Sequence, residues 1–419
     1  MELGHRRVNS DVLEAICASV VNTADILSFS LACFTFRAVA VRRLLLSRTF
    51  HVKYGRALCE FRDFLLSAHH QPQDAPRLKQ LCALKVAAPK PRGDVDDSSS
   101  TEALLDILRH ATSLRILHVP WDDDYLTDSR VDAAIVGLTG LQELGIHGWC
   151  EERPAPIVSL RGLKSPLRRL YLDCYLEPER MSEDEFIPSF LPEIVQALTQ
   201  ISSGIEFLEV TDVIYVQNPW PETLAAPAPI PPASLPNLRS FTATHIRGLP
   251  DLGVLMDAFP SLDGALVLEV ADSESGPKIP DQESGRRTWT RLRWLEGTLH
   301  DLDALGLRCP VDHVIVYMGD PQSAELGLIS NDYLADVLRD TTPTRLSLFV
   351  HATEESEFWR NLIPRGEVAG KLTHLKLGVD YFSASDMYRE EHMSDPKGSL
   401  TWDDLLVSTT QSPSVPCTV

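Results

Sequence analysis

Leu114-Arg115-Ile116-Leu117-His118-Val119 carries apolar side chains at its first, fourth and sixth positions. The same spacing returns at Leu81/Leu84/Val86, Leu141/Leu144/Ile146, Leu167/Leu170/Leu172, Ile205/Leu208/Val210, Leu238/Phe241/Ala243, Val311/Val314/Val316 and Leu372/Leu375/Leu377. Weaker versions start near Leu262, Leu292 and Pro343, so the starts run from residue 81 to residue 372 at a mean step of about 29 residues. An apolar-x-apolar pair is a strand with one buried face. Between the phrases lie amphipathic stretches such as Leu104, Leu105, Ile107 and Leu108, preceded by a Ser99-x-x-Glu102 capping-box pattern. One strand, one turn and one helix per unit predict a mixed α/β chain in which each unit buries its apolar side against its neighbours.

The repeats resemble leucine-rich repeats. Their ninth position is not the usual asparagine but Asp122, Trp149, Tyr175, Val213 and Ile246 in five units, which implies an irregular solenoid. Side chains between the apolar positions point to the opposite face of each strand, the concave face of such a solenoid. They are His118, Glu143, His147, Arg169, Tyr171, Asp173, Phe207, Glu209, Thr211, Tyr317, Phe349 and Lys376. Aromatic and charged groups mixed along one stripe suit recognition of a folded protein substrate. Histidines 118, 147, 313 and 374 fall at different phases of the phrase, so no stacked metal cluster is expected.

Upstream, Val12, Leu13, Ile16 and Val20 recur at helical spacing after Ser10 and Asp11. Thr23 and Asp25 open a second helix with Ile26, Leu27 and Leu31, and Phe34–Leu46 forms a third. Three short helices in about 40 residues bury little core by themselves, so part of this apolar surface is expected to meet another protein. The segment resembles an F-box. The resemblance rests on Val8-Asn9-Ser10-Asp11-Val12-Leu13-Glu14-Ala15-Ile16, then Asp25-Ile26-Leu27, then Leu31-Ala32-Cys33-Phe34-Thr35-Phe36-Arg37, with Val8-Asn9 where the family has Leu-Pro. It implies a substrate receptor of a Skp–cullin–F-box ubiquitin ligase. The F-box would dock on a Skp-type adaptor and, through it, on cullin, by way of Val8, Leu13, Ile16, Ile26, Leu27, Leu31 and Phe36, while the repeats hold the substrate. The general layout is similar to that of fungal F-box/leucine-rich-repeat proteins. A repeat scaffold outside any ligase is the alternative.

The expected organisation is an N-terminal three-helix domain over 1–50 and a helical linker over 51–78, with Leu58, Phe61, Phe64 and Leu65 on one helix face. The repeat array then spans 79–407, with a proline-rich insertion near 217–236, and a disordered tail covers 408–419. Thirty-nine Lys and Arg stand against 59 Asp and Glu, a formal charge of −20 that argues against nucleic-acid and anionic-membrane partners. Residues 1–90 carry +6 and the remainder −26. Eight scattered cysteines without a Cys-x-x-Cys pair, and the lack of a long apolar run, predict a reducing compartment, cytoplasm and/or nucleus. The sequence has no Gly-x-Ser-x-Gly, His-Glu-x-x-His or Gly-x-Gly-x-x-Gly motif, and the expectation is a non-enzyme with no catalytic residues, no cofactor and no metal.

Overall fold

The computed structural model describes residues 10–32, 34–67, 77–87, 97–120, 128–147, 162–173, 194–196, 198–199, 204–211, 233–246, 252–270, 288–318, 331–352 and 371–381. The chain is mixed α/β and forms two compact units, one of Met1–Ile214 with Pro221–Leu238, the other of Tyr215–Trp220 with Arg239–Val419.

The first unit opens with three helices, α1 (Ser10–Ser19), α2 (Thr23–Ala32) and α3 (Phe34–Ser47). Cys17 of α1, Ile26 of α2, and Ala40 and Leu44 of α3 make their shared core, with Val20, Val39 and Phe50 packed against it. Asn22, rather than Thr23, supplies the side-chain cap of α2, accepting the Ala24 N–H at 3.0 Å. There follow β1 (Phe50–Lys53), α4 (Arg56–Leu66), a 3-10 turn at Arg77–Gln80, β2 (Ala83–Ala87), α5 (Asp97–His110), β3 (Ile116–Pro120), α6 (Ser129–Gly137), β4 (Glu143–His147), β5 (Arg169–Asp173) and β6 (Phe207–Thr211).

Each strand pairs in parallel with the next one in the chain. The fourth phrase position makes one ladder, Leu84↔Leu117↔Leu144↔Leu170↔Leu208, and all five side chains are buried. A constant turn sets this register. The N–H groups of residues 115 and 116 both donate to the Cys82 carbonyl, those of 142 and 143 to Arg115, those of 168 and 169 to Gln142, and those of 206 and 207 to Arg168. With the backbone handed from unit to unit in this way, equal phrase positions must stack.

The second unit repeats the arrangement with β7 (Ser240–Ile246), α7 (Leu252–Ala258), β8 (Ala265–Val270), β9 (Leu292–Thr298), α8 (Leu299–Leu305), β10 (Val311–Tyr317), α9 (Asn331–Thr341), β11 (Arg345–Ala352) and β12 (His374–Tyr381). Its ladder is Phe241↔Leu266↔Leu295↔Val314↔Leu346↔Leu375. The three weak phrases are full strands here. At Leu262 the pattern is blurred because Gly264 adds one residue before Leu266 and Leu268, where the chain runs against the Arg239 carbonyl and a Cβ would come within 2.7 Å of it.

Two local expectations differ from the structure. Phe50–Lys53, part of the span read as helical linker, is a strand, because its pairing with β2 outweighs a pattern in which Val52 alone is fully buried. The linker helix itself runs Arg56–Leu66, with Leu58 and Leu65 buried as its spacing requires. Ser99 and Glu102 form no cap, since α5 starts at Asp97, and Glu102 instead pairs with Arg130 of α6 at 2.7 Å. The proline-rich insertion near 217–236 lies mostly, and the tail 408–419 wholly, outside the described residues. No described helix is long and apolar enough to cross a membrane.

Candidate functional site

Strand alternation sends the polar positions of β2–β6 to one face, and the parallel register brings them together. Nine of the expected residues stand here in three rows. One is Glu143↔Arg169↔Phe207. The next is His118↔Gly145↔Tyr171↔Glu209. The third is His147↔Asp173↔Thr211. Lys85 lies beside His118 and His51 beside Lys85, so cations collect at the β1–β2 end and carboxylates at the β5–β6 end.

The centre of this face is a hydrogen-bonded chain. His118, almost fully buried, approaches Glu143 Oε1 with Nε2 at 2.9 Å and His147 Nε2 with Nδ1 at 2.9 Å. A carboxylate only accepts, so His118 Nε2–H donates to Glu143, and His118 Nδ1 accepts from His147 Nε2–H. Arg169 stands 3.7 Å from the other Glu143 oxygen, and Asp173 lies 3.7 Å from His147 Nδ1. The two imidazoles stack at 5.2 Å, and Tyr171 bridges from His118 to Phe207 at 5.2 Å on each side.

The histidine phases, which argued for separation, did not keep these rings apart. His118 faces a glycine across the ladder. A Cβ on Gly145 would sit 2.6 Å from His118 Cγ, so the ring lies over the bare backbone and reaches its diagonal neighbour. Among the described residues no group of three or more potential ligands is arranged to hold a metal ion.

Burial pushes the His118 pKa down, helped by Lys85 and His147 and opposed by Glu143. Burial and nearby carboxylates raise Tyr171 and Glu209. The sign for His118 follows from linkage: with its folded pKa below the unfolded value of about 6.5, the unfolded chain takes up the proton first. Stability present above about pH 6.5 is therefore lost as pH falls toward the folded pKa. Urea unfolding at about pH 7.5 and about pH 5.5 should show a fall that is shallower in His118→Gln; an equal fall would remove His118 as its source.

The remaining three expected residues, Tyr317, Phe349 and Lys376, belong to the second unit's strand face. Tyr317 stacks on Phe349 at 5.3 Å and 23°, and Lys376 Nζ lies 5.3 Å from the Phe349 ring centroid. Phe349 uses the same device as His118, lying across Gly378, where a Cβ would come within 2.6 Å of the ring. Four further residues share this face. Glu296 accepts from Trp294 Nε1–H and from the Tyr317 hydroxyl, each at 2.7 Å, while His313 packs edge-on to Trp294 at 4.5 Å and bonds Ser347 Oγ at 3.0 Å. Burial and Glu296 push the Tyr317 pKa up to about 12. For Trp294 and Glu296 the signal was available in the alternation after Leu292, but Gly297 at the sixth position broke the phrase. A side chain there would strike the Leu268 carbonyl at 2.7 Å.

No protein-family model matches the chain, and no curated protein sequence matches it.

In the three N-terminal helices the expected adaptor set divides cleanly. Leu13 and Ile26 are core. Ile16, Leu27 and Leu31 are exposed at 42%, 50% and 85%, beside exposed Val12 and Val21. Phe36 is half-buried and packs on Phe29 at 4.1 Å. Val8 lies outside the described residues. Elsewhere, a 450 Å³ cavity between α5 and α6 is lined by Leu108, Leu114, Leu138, Arg109 and Arg130 among others, with no histidine, cysteine or carboxylate among its described lining residues.

Proposed function

We propose that this chain is the substrate-recognition subunit of a Skp–cullin–F-box ubiquitin ligase. In this reading α1–α3 are an F-box that binds a Skp-type adaptor, and the strands that follow are an irregular leucine-rich-repeat solenoid whose polar face holds a protein substrate. The observation that carries it is the outward apolar set Val12, Ile16, Val21, Leu27 and Leu31 on α1, α2 and the turn between them, elements whose own core is already filled by Cys17, Ile26, Ala40 and Leu44. Large aliphatic side chains left in water on two adjacent helices are suited to burial against a partner. The chain then contributes no catalytic group; ubiquitin transfer belongs to other subunits, and no cofactor is called for.

The test is capture of purified Skp adaptor and cullin by the full chain and by Leu27→Asp/Leu31→Asp. Both positions are exposed, so the variant is expected to fold and to lose at least about 30-fold in adaptor affinity, since charge replaces buried anchors at an interface centre. Absence of capture by the unaltered chain, folded by circular dichroism, would leave a repeat scaffold outside any ligase.

A further inference from the structure

At the β10–β12 end of the second unit's strand face, Arg345 pairs in register with His313 and with His374, and Ser347 with Lys376. Arg345, His374 and Lys376 are all exposed. Among the described residues no carboxylate forms an ion pair with Arg345 or Lys376, and Lys376 rests on the Phe349 ring. Glu296, the nearest described acid on this face, already accepts from Trp294 and Tyr317 and stands three strands from Lys376. Burial lowers the His313 pKa, and Arg345 and Lys376 add to that shift against Glu296. Tyr317, 41% exposed, extends the apolar surface of Phe349 beside these cations.

An exposed cation pair without counter-ions among the described residues is out of keeping with a chain whose residues after position 90 carry −26. We propose that this end of the face docks an acidic segment of a partner protein, its carboxylates or phosphates on Arg345 and Lys376 and an apolar side chain on Phe349 and Tyr317. The proposal rests on the substrate-holding half of the receptor reading and needs no adaptor. Acidic peptide is favoured over nucleic acid because two cations converge here among the described residues, whereas tracking a nucleic-acid backbone calls for many phosphate contacts.

The probe is a fluorescein-labelled peptide alternating glutamate with phenylalanine and leucine, titrated with the full chain and read by anisotropy. Its glutamine counterpart should bind at least about tenfold more weakly. Arg345→Glu/Lys376→Glu, both exposed and checked by circular dichroism, should abolish that preference and take the lysine counterpart instead. Arg345→Gln/Lys376→Gln should abolish it without the reversal. A phosphoserine version binding more tightly than the glutamate peptide would assign a phosphorylated partner, and equal binding an acidic sequence. No binding of the acidic peptide, equal binding of acidic and neutral peptides, or a preference that survives charge reversal would overturn the proposal. Adaptor capture measured beside it separates the readings. Peptide binding without capture leaves this site and removes the ligase, whereas capture without peptide binding does the opposite.

Discussion

Gly145→Ala should cost about 3 kcal/mol of folding stability, far more than a methyl group on a strand ordinarily costs. The glycine has no positive φ, so alanine suits the backbone; the obstacle is His118, whose Cγ and Cε1 would lie 2.6 and 2.8 Å from the new Cβ. The ring is almost fully buried and held at both nitrogens by His147 and Glu143, and it cannot move without giving up those bonds. Losing a charge-assisted bond at a buried carboxylate is worth about 1.5–3 kcal/mol, and overpacking adds about 1–3. The deciding measurement is a double-mutant cycle by urea unfolding. In a His118→Ala background the ring is gone, and Gly145→Ala should become neutral or stabilising by about 0.5 kcal/mol through the lower entropy of the unfolded chain. A similar cost in both backgrounds would mean that something other than His118 occupies the space.

That glycine also marks how far the sequence could be read. The phrase beginning at Leu114 was enough to place β3–β6 and their ladder, because burying Leu and Val at fixed positions leaves one register in which every apolar side chain goes inward. It was enough, too, to assign the polar alternates to a common face. What it could not reveal was which alternates touch. His118 and His147 differ by two positions in phase, and only the missing side chain at Gly145 lets them meet. Gly297 and Gly264 weakened the phrases near Leu292 and Leu262, since each answers to a neighbouring carbonyl rather than to the apolar period. β1 was unreadable for another reason: four residues with one fully buried side chain carry no period, and pairing with β2 decides the conformation. For the N-terminal helices the apolar spacing was plain, but periodicity gives the same weight to residues that fill a core and residues that await a partner. Separating them required the packing of α1, α2 and α3 on one another.

Two adjacent residues test that separation, Ile26 and Leu27. Ile26→Asp is expected to cost about 4 kcal/mol or more and to unfold the three-helix segment. Ile26 is fully buried among Cys17, Ala40 and Leu44, with Val20, Val39 and Phe50 around them. Burial already pushes the Cys17 thiol pKa up, despite the charge of Arg43. A carboxylate placed there would lose its hydration, or take up a proton and still leave a cavity in the apolar core. Leu27→Asp sits one residue on, half-exposed, where a charge meets water. Its effect on stability should stay within about 0.5 kcal/mol, as for surface positions generally. Far-ultraviolet circular dichroism and urea unfolding would show loss of helix for the first and a parent-like transition for the second. The comparison bears directly on function. Lost adaptor capture in Ile26→Asp or Leu13→Asp reports an unfolded segment, whereas lost capture in a folded Leu27→Asp reports a surface. If Leu27→Asp unfolds with Ile26→Asp, the outward apolar set is core after all, and the observation on which the adaptor reading stands is gone.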